Sequence, residues 1–150
     1  LNGIGGQNTD LGETVRAASR GRVVYCGTPS AGWGKVVILA HRLPGDNKVY
    51  QSMYAHLQDV NVGYGDTVCR GQQIGTIGTA EGVYLAHLHF EIIASRAVEA
   101  GITAYNPQGT MNRLNPQDFI PAHPAPPFPD PMWDVAAKLK LNEAFSAGSL

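Results

Sequence analysis

The sequence predicts an all-β protein: an antiparallel β sandwich or barrel-like sandwich core, followed by a proline-rich C-terminal extension and a short terminal helix. Three observations carry this. Apolar residues come in short runs, several with the two-residue alternation of a half-buried strand. Turn residues separate the runs, and 18 glycines and 10 prolines among 150 residues supply them. The segments Gly12-Glu13-Thr14-Val15 and Gly65-Asp66-Thr67-Val68 also echo each other, as two similar β units packed face to face would.

Taken in order, a short strand is expected near Thr14, then one at 21–26 around Val23-Val24-Tyr25. A continuous apolar run, Val36-Val37-Ile38-Leu39-Ala40, predicts a strand at 35–40, and Val49-Tyr50-Gln51-Ser52-Met53-Tyr54 predicts one at 48–56. A short strand near Thr67, one at 72–77 and one at 87–94 complete the core. Turns fall at 28–32, 43–47 and 78–82, where glycine, proline, asparagine and aspartate collect. Beyond Ala100 the pattern loosens. Asn115-Pro116-Gln117-Asp118-Phe119-Ile120 reads as a turn leading into a short hydrophobic anchor. The residues then divide into a domain at 1–120, a stiff tether at 121–131 holding six prolines, and a helix at 132–150. Met132, Val135, Leu139 and Phe145 would share one side of that helix, with Trp133 packing it onto the domain.

Composition bounds the function. One domain of this length can bury an ordinary core. A net charge of −1 gives no nucleic-acid surface. No apolar run approaches membrane-spanning length. Arg16, Arg20 and Arg22 read as a solvated strand edge. Cys26 and Cys69 match neither a metal knuckle nor a redox pair, and free thiols are the default reading, with a disulfide the alternative. The chain begins with Leu1 and has no basic-then-apolar leader, which reads as a fragment or a processed product.

The chemistry points to Ala86-His87-Leu88-His89-Phe90-Glu91-Ile92, led in by Val83-Tyr84-Leu85. Side chains two apart on a strand share a face, so His87 and His89 would stand side by side, with Leu88 and Phe90 turned into the core. Imidazole is the commonest zinc ligand and a proton shuttle near neutral pH. Thirty residues upstream, Tyr54-Ala55-His56-Leu57 closes a strand. Between them runs Gly65-Asp66-Thr67-Val68-Cys69-Arg70-Gly71-Gln72-Gln73-Ile74-Gly75.

These three motifs, in this order, closely resemble the lysostaphin-type (LytM-like) zinc metallopeptidases, which cut peptide bonds in bacterial peptidoglycan. The resemblance covers residues 10–95 continuously and extends more weakly to Ile120. It implies a zinc-dependent endopeptidase with Zn2+ as cofactor, peptidoglycan peptide as substrate, and a cell-envelope or secreted location. By position, His89 matches a metal ligand, while His87 and His56 match the two histidines that handle the water and the developing charge. The spacing does not choose the principal base between them. The loops at 27–34, carrying Trp33, and 43–48 are expected as cleft walls.

One departure bears on the metal. The family takes its other two ligands from an upstream His-x-x-x-Asp, and no such motif occurs in this chain. Leu1 to Asp10 resembles the loop that follows it, so the chain reads as starting just after those ligands and as inactive without them. Asp10 fits a turn residue better than a ligand, His41 a strand end or cleft wall, and His123 a solvated tail position. Two rival classes remain: a metal-free LytM-like regulator of other cell-wall hydrolases, and a histidine phosphocarrier with facing histidines, which the motif wording fits poorly.

Overall fold

The apolar run at 35–40 lies at the centre of the molecule. A computed structural model describes residues 6–43, 46–98, 100 and 112–124. In it the run becomes β3, spanning Lys35–Arg42 and buried from Val36 to His41. The alternating run after it becomes β4, Val49–Val60, buried at every position from Val49 to Leu57. Both strands are longer than predicted, and β4 is covered on both faces rather than one. Around them lie β1 (Thr14–Arg16), β2 (Gly21–Gly27), β5 (Thr67–Val68), β6 (Gln73–Ile77), β7 (His89–Ile93), β8 (Arg113–Leu114) and the helix α1 (Pro116–Ala122).

Every pairing is antiparallel, in the order β1-β6-β4-β3-β2-β5, with β7 added to β4 and β8 to β7. The expected all-β antiparallel core is therefore present. Its two layers are the ends of one curled sheet. The echoing segments supply β1 and β5, the two ends of the strand order, and Val15 and Val68 meet in the same apolar cluster. Val23, Leu39, Tyr54, Leu57 and Ile74 fill that concave side, and Leu88 and Phe90 pack against it as expected. The opposite face carries a second cluster of Trp33, Val36, Ile38, Met53, Ala55 and Ile93. Each fully buried large side chain contributes about 2 kcal/mol.

Several local readings change. His87 precedes β7, and Val83-Tyr84-Leu85 lies in an exposed turn rather than leading a strand. Tight hydrogen bonds close that turn: Tyr84 N–H to Thr79 O, Val83 N–H to Ala80 O and Gly82 N–H to the Thr79 hydroxyl. The expected turn at Asn115 is a helix start. Asn115 accepts from the Gln117 N–H at 3.0 Å, and Pro116 occupies the first turn, where its missing N–H costs nothing. Phe119, not the half-exposed Ile120, is the anchor, lying 4.9 Å from Tyr50. Pro121 belongs to this helix; the later prolines from 125 onward and the expected helix at 132–150 lie outside the described residues. Cys26 and Cys69 are free thiols, one exposed and one buried.

On the concave side a chain of buried polar groups ties the β1–β2 connection to the central strands. The Arg20 carbonyl can only accept, so His41 carries its proton on Nδ1 and donates it there, at 2.6 Å. Its Nε2 then accepts from Ser52 Oγ at 2.7 Å. Ser52 Oγ sits 3.1 Å from the Tyr54 hydroxyl, which accepts from the Ala18 N–H at 2.8 Å. With the one Ser52 proton committed to His41, Tyr54 is the donor to Ser52. His41 is thus a structural strand-end residue, as read from the sequence.

Burial pushes His41 down to about 4, with the Arg20 carbonyl pulling weakly the other way. As pH falls below 6.5 the unfolded chain takes up this proton first, so stability present above 6.5 is lost toward pH 4. The loss is roughly 3 kcal/mol. Urea unfolding at pH 7 and pH 4.5 is expected to show this slope in the parent chain. His41→Gln is expected to reduce it, the remainder coming from His56, whose pKa burial lowers in the same direction.

Candidate active site

One irregularity in β4 makes the site. Against β3, Lys35 faces Leu57 while Val37 faces Tyr54, so two steps on one strand meet three on the other. The extra residue falls at His56, whose φ is +63°. In a regular strand Tyr54 and His56 would share the concave face. The bulge instead turns His56 toward Trp33 and the second cluster, while Leu57 returns to the concave side with Tyr54. A left-handed conformation costs a non-glycine residue about 1–3 kcal/mol. The Trp33 carbonyl offsets this by accepting twice, from the His56 backbone N–H at 3.0 Å and from ring Nδ1 at 3.1 Å.

The other two histidines arrive from the start of β7. Ala55 pairs with His89, which places the His89 ring 5.4 Å from that of His56. His87 lies 4.7 Å from His56, centroid to centroid. All three predicted site residues therefore share one cleft. Trp33 forms its floor, with ring centroids 4.9 Å from His89 and 6.2 Å from His56. The half-exposed Tyr84 forms a wall, 5.0 Å from His56. The loop at 27–34 is a cleft wall as expected. The segment at 43–48 is not: it joins β3 to β4 at the far end, ~20 Å along β4 from His56 at ~3.3 Å per residue. The turn at 78–86 takes its place, tied down by the Ala86 N–H donating to Asn8 Oδ1 at 2.8 Å.

Each imidazole has one nitrogen committed to an oxygen that can only accept. His56 Nδ1 faces the Trp33 carbonyl, His87 Nδ1 faces the Leu85 carbonyl at 2.8 Å, and His89 Nε2 faces a Glu91 carboxylate oxygen at 2.9 Å. The committed nitrogens must hold the protons. In a neutral ring that leaves the lone pair on His56 Nε2, His87 Nε2 and His89 Nδ1. Burial pushes His56 down to about 4; the Trp33 carbonyl opposes this, and His87 and His89 add to it. His56 is neutral at pH 7.

Glu91 was part of the sequence motif but had no role there, and Arg113 was missed. Glu91 is buried on β7, and its second oxygen accepts from Arg113 Nε at 2.9 Å on β8. Burial pushes the Glu91 carboxyl up, but the hydrogen bonds from His89 and Arg113 and their charges outweigh it and hold it below the usual range. The residue two places after His89 was the available signal, since it returns to the same strand face.

The donor chemistry suits zinc, which takes neutral imidazole nitrogens. The set is incomplete, however. Among the described residues no group of three or more His, Cys, Asp and Glu side chains could hold a metal ion. Asp10 lies in a turn, as read from the sequence, and is buried.

Gly34 joins the two walls. Its φ is +59°, and an added Cβ would lie 2.8 Å from Ala80 Cα. Gly34→Ala is expected to cost about 2 kcal/mol or more, from overpacking and left-handed strain together. Thermal denaturation should show the loss, and the His56 ring resonances should shift as the Trp33 carbonyl is pushed away.

Relatives fit this geometry. Over 82 residues the chain is 42% identical to the lipoprotein NlpD/LppB homolog of Pseudomonas aeruginosa, covering 55% of this chain and 26% of that protein. It is 38% identical over 81 residues to the murein hydrolase activator NlpD of Escherichia coli, covering 54% and 20%. The chain thus spans about a quarter or less of these relatives. Among solved structures, lysostaphin from Staphylococcus simulans superposes with a TM-score of 0.57 at 27% identity, covering 77% of this chain and 41% of that one. LytU superposes with a TM-score of 0.55 at 28% identity, covering 76% and 68%. Residues 3–103 match peptidase family M23, which is two thirds of the chain, and the chain belongs to that family.

Proposed function

We propose that this domain is a zinc-dependent endopeptidase that hydrolyses peptide bonds of bacterial peptidoglycan in the cell envelope. The observation that carries this reading is the convergence of three imidazoles in one cleft, each with one nitrogen tied back to an acceptor oxygen and the other left uncommitted. His89 Nδ1 would be a metal ligand. The remaining ligands would come from outside the described residues, in the role the resemblance gives to a His-x-x-x-Asp. Bound zinc would polarise the scissile carbonyl and acidify its water.

His87 is half-exposed, and its bare Nε2 is suited to take a proton from water at the cleft. His56, buried and neutral, would orient that water by accepting a hydrogen bond at Nε2. Steadying an oxyanion would need a proton on Nε2, which its bond to Trp33 places on Nδ1 instead. Trp33 and Tyr84 would exclude bulk water from either side of the reacting group. On this reading the peptidase domain runs through α1 to Ala122, two residues past the expected boundary at 120, and the expected helix at 132–150 lies outside the described residues.

A second reading is a regulator of other cell-wall hydrolases. Two findings favour it: relatives carry the name murein hydrolase activator, and the described residues do not complete a metal site. Retention of all three histidines with matched tautomers weighs for the peptidase.

Single substitutions in the intact protein separate the roles. His89→Ala is expected to abolish zinc retention by atomic absorption. His87→Ala is expected to keep zinc and lose 10²- to 10⁴-fold in turnover of purified cell walls. A His87→Ala protein that cleaves at nearly the parental rate would contradict the role given to that residue.

A further inference from the structure

The Glu91–Arg113 pair lies behind the cleft, on the buried side of His89. Three features distinguish it from an ordinary ion pair. Both partners are buried, at 6% and 9% exposure. Each carboxylate oxygen has its own donor, His89 Nε2 on one and Arg113 Nε on the other, both at 2.9 Å. The residues also lie on strands fixed by register. Glu91 pairs with Met53 in β4, while Arg113 in β8 pairs with Ile93 in β7. A buried carboxylate held in this way cannot swing away from the imidazole without giving up its hydrogen bond from Arg113.

We propose that Glu91, itself held by Arg113, is a positioning residue that fixes His89 as the Nε2–H tautomer and keeps Nδ1 as its lone-pair nitrogen. The argument is one of donor counting. Arg113 has only N–H groups to offer and takes one carboxylate oxygen permanently. The other oxygen can only accept, so it demands a proton on His89 Nε2. Trp33 packs edge-on against the His89 ring at 4.9 Å. The use made of Nδ1, as a metal ligand, rests on the peptidase reading; the tautomer does not.

Donor counting also yields an inverted outcome in an isosteric variant. Glu91→Gln keeps size and shape but has one acceptor oxygen. Arg113, always charged, claims that oxygen and leaves the amide NH2 facing His89. Nε2 must then accept, and the proton moves to Nδ1. A role in packing alone would leave the tautomer untouched.

Long-range 1H–15N NMR of the metal-free 150-residue chain at pH 7.5 reads both ring nitrogens directly. The parent is expected to show His89 protonated at Nε2 and bare at Nδ1. Glu91→Gln is expected to reverse the two signals, and Glu91→Leu to give a mixture of both forms. A parent His89 protonated at Nδ1 would overturn the inference, and so would a folded Glu91→Gln chain retaining the parental pattern. If Glu91→Gln fails to fold, Glu91→Leu decides, since a folded Glu91→Leu chain with the parental pattern unchanged would overturn the role given to Glu91. If this chain shows the expected tautomers yet the intact protein never retains zinc, the peptidase reading falls and this inference stands.

Discussion

The Trp33 carbonyl oxygen governs the site. It accepts from both the backbone and the ring of His56, and so holds a non-glycine residue in a left-handed turn within a strand. Release that carbonyl and the bulge in β4 has nothing to offset its strain. In a regular strand His56 would instead share the concave face with Tyr54, away from His87 and His89. Because Trp33 also floors the cleft beside His89, the same residue fixes two of the three imidazoles, one through its backbone and one through its ring. Gly34 follows directly, and its lack of a side chain lets the turn carrying Ala80 close on the other side.

The sheet keeps two buried polar systems apart, one on each face. On the concave side, His41, Ser52 and Tyr54 form a fully partnered chain with both ring nitrogens of His41 consumed. Nothing is left over for a substrate, and the chain's effect is to pin the β1–β2 connection. On the other face, His89, Glu91 and Arg113 consume one ring nitrogen and leave one. The difference of a single lone pair separates a histidine that holds the fold from one equipped for chemistry. Burial alone does not make that distinction, since His41 and His56 are equally buried.

Much of this was legible in the sequence. The apolar run at 35–40 and the alternation after Val49 predicted the two central strands, and short strands near Thr14 and Thr67 were expected, though not their place at the two ends of the strand order. His56, His87 and His89 were each named, and the structure brings all three together. What escaped was set by contacts distant in sequence. The bulge at His56 depends on Trp33, and nothing in Tyr-Ala-His-Leu announces a positive φ there. Arg113 reaches Glu91 through a two-residue strand too short to leave a periodic signal. Val83-Tyr84-Leu85 has strand composition, but three successive left-handed residues from Ala80 to Gly82 bend it into a turn.

The relatives of this family member bear names of two kinds, peptidases and activators of hydrolases. Three lone pairs in one cleft favour the former, and the two can be told apart by what reaches solution. The decisive measurement is mass spectrometry of purified peptidoglycan after incubation with the intact protein alone, with and without a zinc chelator. The account expects new amino termini at peptide bonds, abolished by the chelator and restored by added zinc. No cleavage alone, but faster cleavage by a second hydrolase supplied in the same tube, would contradict it and identify the domain as a regulator.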